Sequence, residues 1–480
     1  MDTLRDSGPL QLPQEAVKAS AIAFARVFLG IMWLIEVTVG HNWKIGGFES
    51  GPNPRWMGPE AGEAVRDSAA SAIADGTYSW AAWIFDSIIV PNAEMFSYLT
   101  IALQILFGVA FVVGFAVRPL ALMALVMDVN IMMLGNSRIP PFFAVLHLFV
   151  LVSGAGQYYG LDGWILDRIR TAKTGSANAL RWLIELPVFK RSYIPGFVAG
   201  FGLIAVFFFL TMGSRATGRF VFVAMDLVAI TGLIVIGLLA AGRYGDRLAA
   251  LTAALRIFVG YKFLHEIWAR VSPGVNAMPG FADSEAQSAV FTTISENHWS
   301  LVGSIVDALI LPAMGFWVLV FGAVQLVVGA ALIIGYRTRI AGLVGVAYLG
   351  GLMMLGMTRL IPFVLGMLVV VIALDSGRLL SLDSLRRWSE PAQFGLPVPA
   401  KVIPILIALA AVNAIAAVAT AFNTGITPDG YTTSMPAMVT AFVAVFSGLF
   451  AFVGWLQLHP GLNHSDAVAE LETELNTPVT

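Results

Sequence analysis

The chain contains no cysteine. That absence excludes thiolate nucleophiles, disulfide relays and Cys-ligated iron–sulfur clusters. It leaves the redox compartment open, since either environment tolerates it. Charge is scarce too: 12% of the 480 residues are charged, against about a quarter in soluble domains. The formal net charge is −2, so no global pull on nucleic acid is implied. The apolar stretches do not alternate with polar residues, which argues against a β-barrel. Residues Met1 to Gln14 are polar and acidic, without the basic start of a cleaved signal peptide. No phosphate-binding G-x-x-x-x-G-K-[ST] loop, Ser–His–Asp order or dinucleotide fingerprint is found. No histidine spacing resembles a haem or zinc site, the only pair expected to be buried being His147 and His265. Neither metal nor haem is therefore predicted.

What is abundant is apolar surface. Hydrophobic residues make up 58% of the chain, and mean hydropathy is +0.80. The apolar runs are of helix length, as a bilayer core of about 30 Å requires, and backbone amides in lipid must be satisfied within such a segment. The pattern predicts an all-α polytopic membrane protein with about twelve transmembrane helices. These are 20–40, 93–114, 118–135, 140–158, 193–212 and 220–241 in the first half. The second half adds 247–268, 313–334, 339–356, 361–375, 401–422 and 435–457. Long outer loops are expected at 41–92 and 269–312, with Trp43, Trp56, Trp80, Trp83, Trp268 and Trp299 placed as interfacial aromatics. The basic, amphipathic segment 161–190 suits a helix lying on the inner surface. Lys and Arg number 17 in the loops of one side and 8 on the other, which predicts both termini in the cytoplasm of a cell-membrane protein.

The sequence also repeats itself. Residues 86–162 align with 307–383 at a constant offset of 221. Asp86, Pro91, Gln104, Gly108, Gly114, Arg118, Gly135, Arg138, Pro141, Gly156 and Asp162 meet Asp307, Pro312, Gln325, Gly329, Gly335, Arg339, Gly356, Arg359, Pro362, Gly377 and Asp383. Upstream the offset is 230, and Arg26, Gly30 and Glu36 meet Arg256, Gly260 and Glu266. Repetition of helical units identifies architecture before chemistry. The expected organisation is a tail (1–19), a four-helix repeat (20–160), a surface helix with two extra helices (161–246), a second repeat (247–383), a linker with two more helices (384–458) and a tail (459–480). Six spans per half is an even number, so the halves run parallel about an axis along the membrane normal.

Ionisable groups inside spans are costly and mark candidate sites. Arg26 and Glu36 share the first span; Arg256, Lys262, His265 and Glu266 share its counterpart. Lys262 and Glu266, four apart, are placed to neutralise each other. The plain alternative is that the arginines snorkel and the glutamates border an outer polar layer. Asp128, Asn130 and His147 have apolar or Gly counterparts (Leu349, Gly351, Leu368) in the second repeat. Glu36, Asp128 and His147 are thus the candidate catalytic group. Arg138, Arg359, Lys262, His265 and Glu266 are the candidate positions for a substrate anion or a quinone head, whose carbonyls need donors and whose reduction needs a proton path. The alternative for Asp128 and His147 is a structural hydrogen-bond network between helices. Gln104 and Gln325 read as helix-packing polar groups, and Asp226 and Asn413 lie alone in trailing helices.

The repeat resembles the DoxX/DoxD family of membrane proteins. The likeness rests on Arg26-x3-Gly30 and Arg256-x3-Gly260 opening the first helix, and on the turns Gly114-Phe-Ala-Val-Arg118 and Gly335-Tyr-Arg-Thr-Arg339. It covers about 270 residues in two copies. The resemblance implies the membrane subunit of a thiosulfate:quinone oxidoreductase, with a quinone acceptor, a small sulfur anion as donor and a second protein subunit. It makes Arg138 and Arg359, at equivalent outer turns, anion-binding candidates. The chain departs from the family in its tandem fusion and in two extra helices per unit. The expected function is a quinone-interacting subunit of a respiratory oxidoreductase with a redox partner protein. The alternatives are a non-catalytic membrane scaffold and a small-solute transporter.

Overall fold

The computed structural model describes residues 14–38, 44–45, 52–172, 174–186, 193–212, 220–271, 283–387, 394–421 and 433–464. His41 and Trp43, the side chain of Trp268 and most of both tails lie outside the described residues. Among the described residues all regular structure is helical. The main elements are α1 (Gln14–Thr38), α2 (Glu63–Ala74), α3 (Ser79–Ile84), α4 (Ala93–Val113), α5 (Val117–Met133), α6 (Pro140–Ser153), α7 (Leu161–Ile169), α8 (Gly175–Glu185), α9 (Ile194–Met212) and α10 (Phe220–Tyr244). Then follow α11 (Arg247–Val271), α12 (Ser284–Asn297), α13 (Ser300–Ile305), α14 (Met314–Ile334), α15 (Thr338–Met354), α16 (Ile361–Ala373), α17 (Leu382–Arg387), α18 (Ile403–Thr420) and α19 (Met435–Leu458).

Among the described residues, eight helical stretches are long and apolar enough to cross a membrane: Gln14–Thr38, Ser79–Val113, Ile194–Met212, Phe220–Tyr244, Arg247–Ile267, Ser300–Ile334, Ala400–Thr420 and Met435–Leu458. The chain is a helical multi-pass membrane protein. Two expectations change at the outer loops. The segments 41–92 and 269–312 contain α2, α3, α12 and α13 rather than irregular chain. The helices entered from them extend upstream to 35 residues each, through π-helical turns at Phe85–Ile89 and Val306–Ile310. Pro91 and Pro312 follow each π turn inside a short 3-10 segment. Proline has no N–H to give the ladder, so the helix changes its hydrogen-bond period there instead of ending. The basic segment 161–190 forms two short helices, α7 and α8, not one.

α6 and α16 are only 14 and 13 residues long, about 20 Å at 1.5 Å per residue. Nearly every residue of both is buried. Backbone outside a helix is tolerated at membrane depth when protein covers it, and here α1 and α11 pack on both short helices. The contacts cross over. Phe28 of α1 meets Phe363 of α16 at 6.4 Å, Phe258 of α11 meets Phe142 of α6 at 5.8 Å, and the two middle rings stack at 6.0 Å. Glycine permits the tightest approaches. A Cβ on Gly30 would lie 2.7 Å from Gly108 O, and one on Gly260 would lie 2.7 Å from Gly329 O. α1 therefore rests on α4, and α11 on α14, backbone to backbone. Gly114 and Gly335 act differently. They end α4 and α14 in the left-handed conformation, at φ 76° and 68°.

A buried clamp holds each of those turns. Arg26 donates to Phe111 O (2.7 Å), Val112 O (2.9 Å) and Tyr159 O (3.3 Å). Asp162 accepts from the N–H groups of Ala116 (2.7 Å) and Val117 (3.0 Å), while its own N–H donates to Gly114 O. The cation thus satisfies carbonyls left open where α4 ends, and the carboxylate satisfies amides left open where α5 begins. In the second half, Arg256 donates to Leu332 O, Ile333 O and Leu380 O, and Asp383 accepts from Arg337 and Thr338 N–H at 2.8 Å each. The arginines do not snorkel; Arg26 is 1% exposed and Arg256 fully buried.

Replacing Gly30 by Ala is expected to cost about 1–3 kcal/mol, because backbone atoms must move apart. Gly350→Ala, whose Cβ meets nothing within 4 Å, is expected to be neutral or stabilising by up to about 1 kcal/mol. Thermal unfolding in detergent reads both; equal losses would refute the close contact. Asp162 lies off the spans, and burial pushes its carboxyl up to about 6, outweighing its two amide donors and the charge of Arg26. The folded value lies above the unfolded one. Its stabilising contribution is therefore complete below about pH 4 and is lost as pH rises through about 6. The unfolding midpoint should fall across that window, and the step should flatten in Asp162→Asn; parallel pH curves for the two proteins would contradict it.

Candidate functional site

Two places gather the candidate residues. In the first half, the structure brings Asp128 of α5 and His147 of α6 together and adds Trp33 of α1, which the sequence reading missed. His147 Nδ1 lies 2.6 Å from Asp128 Oδ2, and the Trp33 indole N–H donates to His147 Nε2 at 2.9 Å. An indole nitrogen only donates, so Nε2 is the acceptor and the imidazole proton sits on Nδ1, facing the carboxylate. The imidazole stacks on Trp33 and Phe143 and leans on Phe111, and both Asp128 and His147 are completely shielded. The network ties three helices together. Trp33 left a signal in the sequence: its aligned position holds Phe263, so the indole, the carboxylate and the imidazole are all replaced together in the second half.

In the second half the matching space is open. A cavity of about 90 Å³ is lined by Lys262, Phe263, Glu266, Gln325, Tyr348 and Leu349, among others. Phe263 and Leu349 stand where Trp33 and Asp128 stand in the first half. Gln325 Nε2 donates to Tyr348 Oη at 2.8 Å, and Gln325 Oε1 is buried without a hydrogen-bond partner. Lys262 pairs with Asp226 of α10 at 3.1 Å, not with Glu266, and its ammonium lies 5.2 Å from the centre of the Phe142 ring. Tyr261 also donates to Asp226 at 2.9 Å. Asp226 looked isolated because its partners sit on the next helix. The adjacent His265 packs on Phe222 and Tyr261; neither ring nitrogen has a hydrogen-bond partner, and Nδ1 is 4.0 Å from Glu266.

The remaining candidates lie at the C-terminal end of α1 and in the turns before α6 and α16. Glu36 is partly buried and feels the positive charges of Lys44 and Arg359. Lys44 donates to Glu36 O at 3.4 Å and sits over the Trp56 ring. Burial lowers its ammonium to about 8, against the opposing pull of Glu36. Arg138 remains in the turn between α5 and α6, where its N–H donates to Asn136 Oδ1. Arg359 occupies the matching turn before α16 and is almost fully buried.

No family model, curated protein or solved structure matches the chain. Chemistry must be read from the site alone. Its donors are an ammonium and a phenol, its acceptors an amide oxygen and a carboxylate, and the remaining wall is apolar. This composition suits a small, flat molecule with carbonyl or hydroxyl groups.

Lys262→Met leaves Asp226 buried without its cation and should cost about 3–5 kcal/mol. The double change Asp226→Leu with Lys262→Met should cost less than that single change. Denaturation of the four proteins in a mutant cycle checks this, and simple additivity would show that the pair is not coupled.

Proposed function

We propose that this chain is a quinone-interacting membrane subunit of an oxidoreductase, and that its quinone position is the second-half cavity. The unpartnered Oε1 of Gln325 in that cavity carries the reading. A buried amide oxygen without a donor is a standing cost, and a hydroquinone hydroxyl would relieve it. Lys262 and Tyr348 would present donors to a quinone carbonyl, and Glu266 would hold or release a proton at the cavity edge. A bound quinone supplies the capacity to accept two electrons and two protons. The room of about 90 Å³ favours a ring in the cavity and a tail in the lipid. The Trp33–His147–Asp128 network would be structural on this reading, and a charged donor would approach from the side of Glu36, Arg138 and Arg359. A redox partner protein is needed, because this chain carries no cofactor motif.

The same proposal includes two parallel DoxX-like units, twelve spans, both termini cytoplasmic and residence in the cell membrane. Its support is the paired sequence offset, the twin clamps at Arg26/Asp162 and Arg256/Asp383, and the excess of Lys and Arg in one set of loops. Each of the twelve expected segments overlaps a helix, and eight helical stretches among the described residues are long and apolar enough to cross a membrane. A non-catalytic anchor is the second reading. It is favoured by α9 and α18, of whose spanning windows only 6% and 11% are buried, leaving long apolar faces for lipid or for partner helices.

Purification in mild detergent followed by solvent extraction should return about one quinone per chain. Gln325→Leu should lower quinone retention about tenfold, equivalent to about 1.4 kcal/mol, without lowering the unfolding temperature. A chain that copurifies with membrane partners but no quinone would favour the anchor.

A further inference from the structure

A second and larger cavity lies away from these residues, between α5, α6, α9, α10 and α11. It measures about 260 Å³, and apart from Arg118 and Arg247 every residue lining it is apolar. The two arginines share one end. Arg118 is the second residue of α5 and Arg247 the first of α11, while α10 finishes at that same end. From Ala241 back to Ile230, both in the wall, the groove follows α10 for eleven residues, or about 16 Å of helix. At the charged end Arg118 donates to the backbone carbonyl of Glu185, the last residue of α8. Two carboxylates stand near this end: Asp246 faces Arg378 at 3.6 Å and accepts from Ala249 N–H, and Asp162 feels the charge of Arg118.

We infer that this groove is a binding site for one anionic phospholipid, its phosphate against Arg118 and Arg247 and an acyl chain along α10. The inference is independent of the quinone reading. Two guanidinium forks at the mouth of a lipid-depth apolar groove match a phosphate in charge and in geometry. Basic pockets between membrane helices near one bilayer face are where anionic headgroups bind. Neither an uncharged lipid nor a bare partner helix would use both arginines. Gly237 in the wall offers a means of blocking the chain alone, since a Cβ there meets only Ala254 Cβ at 3.9 Å.

The test is thermal unfolding of the delipidated full chain in detergent, followed by tryptophan fluorescence. Dioleoylphosphatidylglycerol, dioleoylphosphatidylcholine and inorganic phosphate are each added separately. A ligand of the folded state raises the midpoint with concentration. The phosphatidylglycerol shift should be at least about twice the phosphatidylcholine shift, and phosphate alone should give little. Arg118→Gln with Arg247→Gln should erase the preference for the anionic lipid. Gly237→Leu, with both arginines intact, should shrink the phosphatidylglycerol shift by filling the groove. Equal shifts for the two lipids, a preference that survives the double change, a groove-filling variant with an unchanged shift, or phosphate alone matching the lipid would each overturn the inference.

Discussion

The fold depends on how two protein-covered helix ends dispose of their polar backbone groups. Where α4 gives way to α5, four carbonyls and four amides lose their intrahelical partners, and the turn at Gly114, Ala116 and Val117 is buried from water. Arg26 answers the carbonyls and Asp162 the amides. Gly114 makes the arrangement possible, because a Cβ at that position would lie 2.5 Å from Arg26 Nη1. The same solution appears at Gly335 with Arg256 and Asp383. A charge normally expensive to bury is retained because several carbonyls share it. α1 and α11 are fixed in place by those bonds, and both pack on the central short helices α6 and α16.

From that shared frame the two halves diverge at one spot. Trp33, Asp128 and His147 fill the first half with a hydrogen-bonded network, whereas Phe263, Leu349 and Leu368 stand at the aligned positions of the second. A cavity lies beside Phe263 and Leu349, and Lys262, Gln325 and Glu266 border it. A core at native density has no reason to keep an empty, polar-lined volume. That contrast is why the proposed ligand position falls in the second half, while the more conspicuous Asp–His pair becomes a brace. Asp226 and the Phe142 ring both face the Lys262 side chain.

Much of the candidate site was legible, but its pairings were not. Lys262 and Glu266 were both placed at the site by sequence; the ion pair was assigned along the helix, where i and i+4 are neighbours. The true partner, Asp226, is 36 residues away on α10. Arg26 was flagged as a buried charge, yet its partners are backbone carbonyls, which leave no mark on residue identity. Trp33 read as an ordinary apolar residue because only its contact with His147 reveals the indole N–H as functional polarity.

The sequence by itself determined that the chain is helical and multi-pass. Solid apolar runs in a bilayer leave the backbone only one way to satisfy itself, and aligned Gly, Arg and Asp residues recur at fixed offsets. It also placed Arg26, Arg256, Lys262, Asp128 and Asp226 within apolar segments, and the fold buries all five. Tertiary structure alone decided which of those charges meet, which half is filled and which is open, and that α6 and α16 are short helices enclosed by protein. Those outcomes depend on side-chain volume and on contacts between segments far apart in the chain, and helical periodicity carries no information about either.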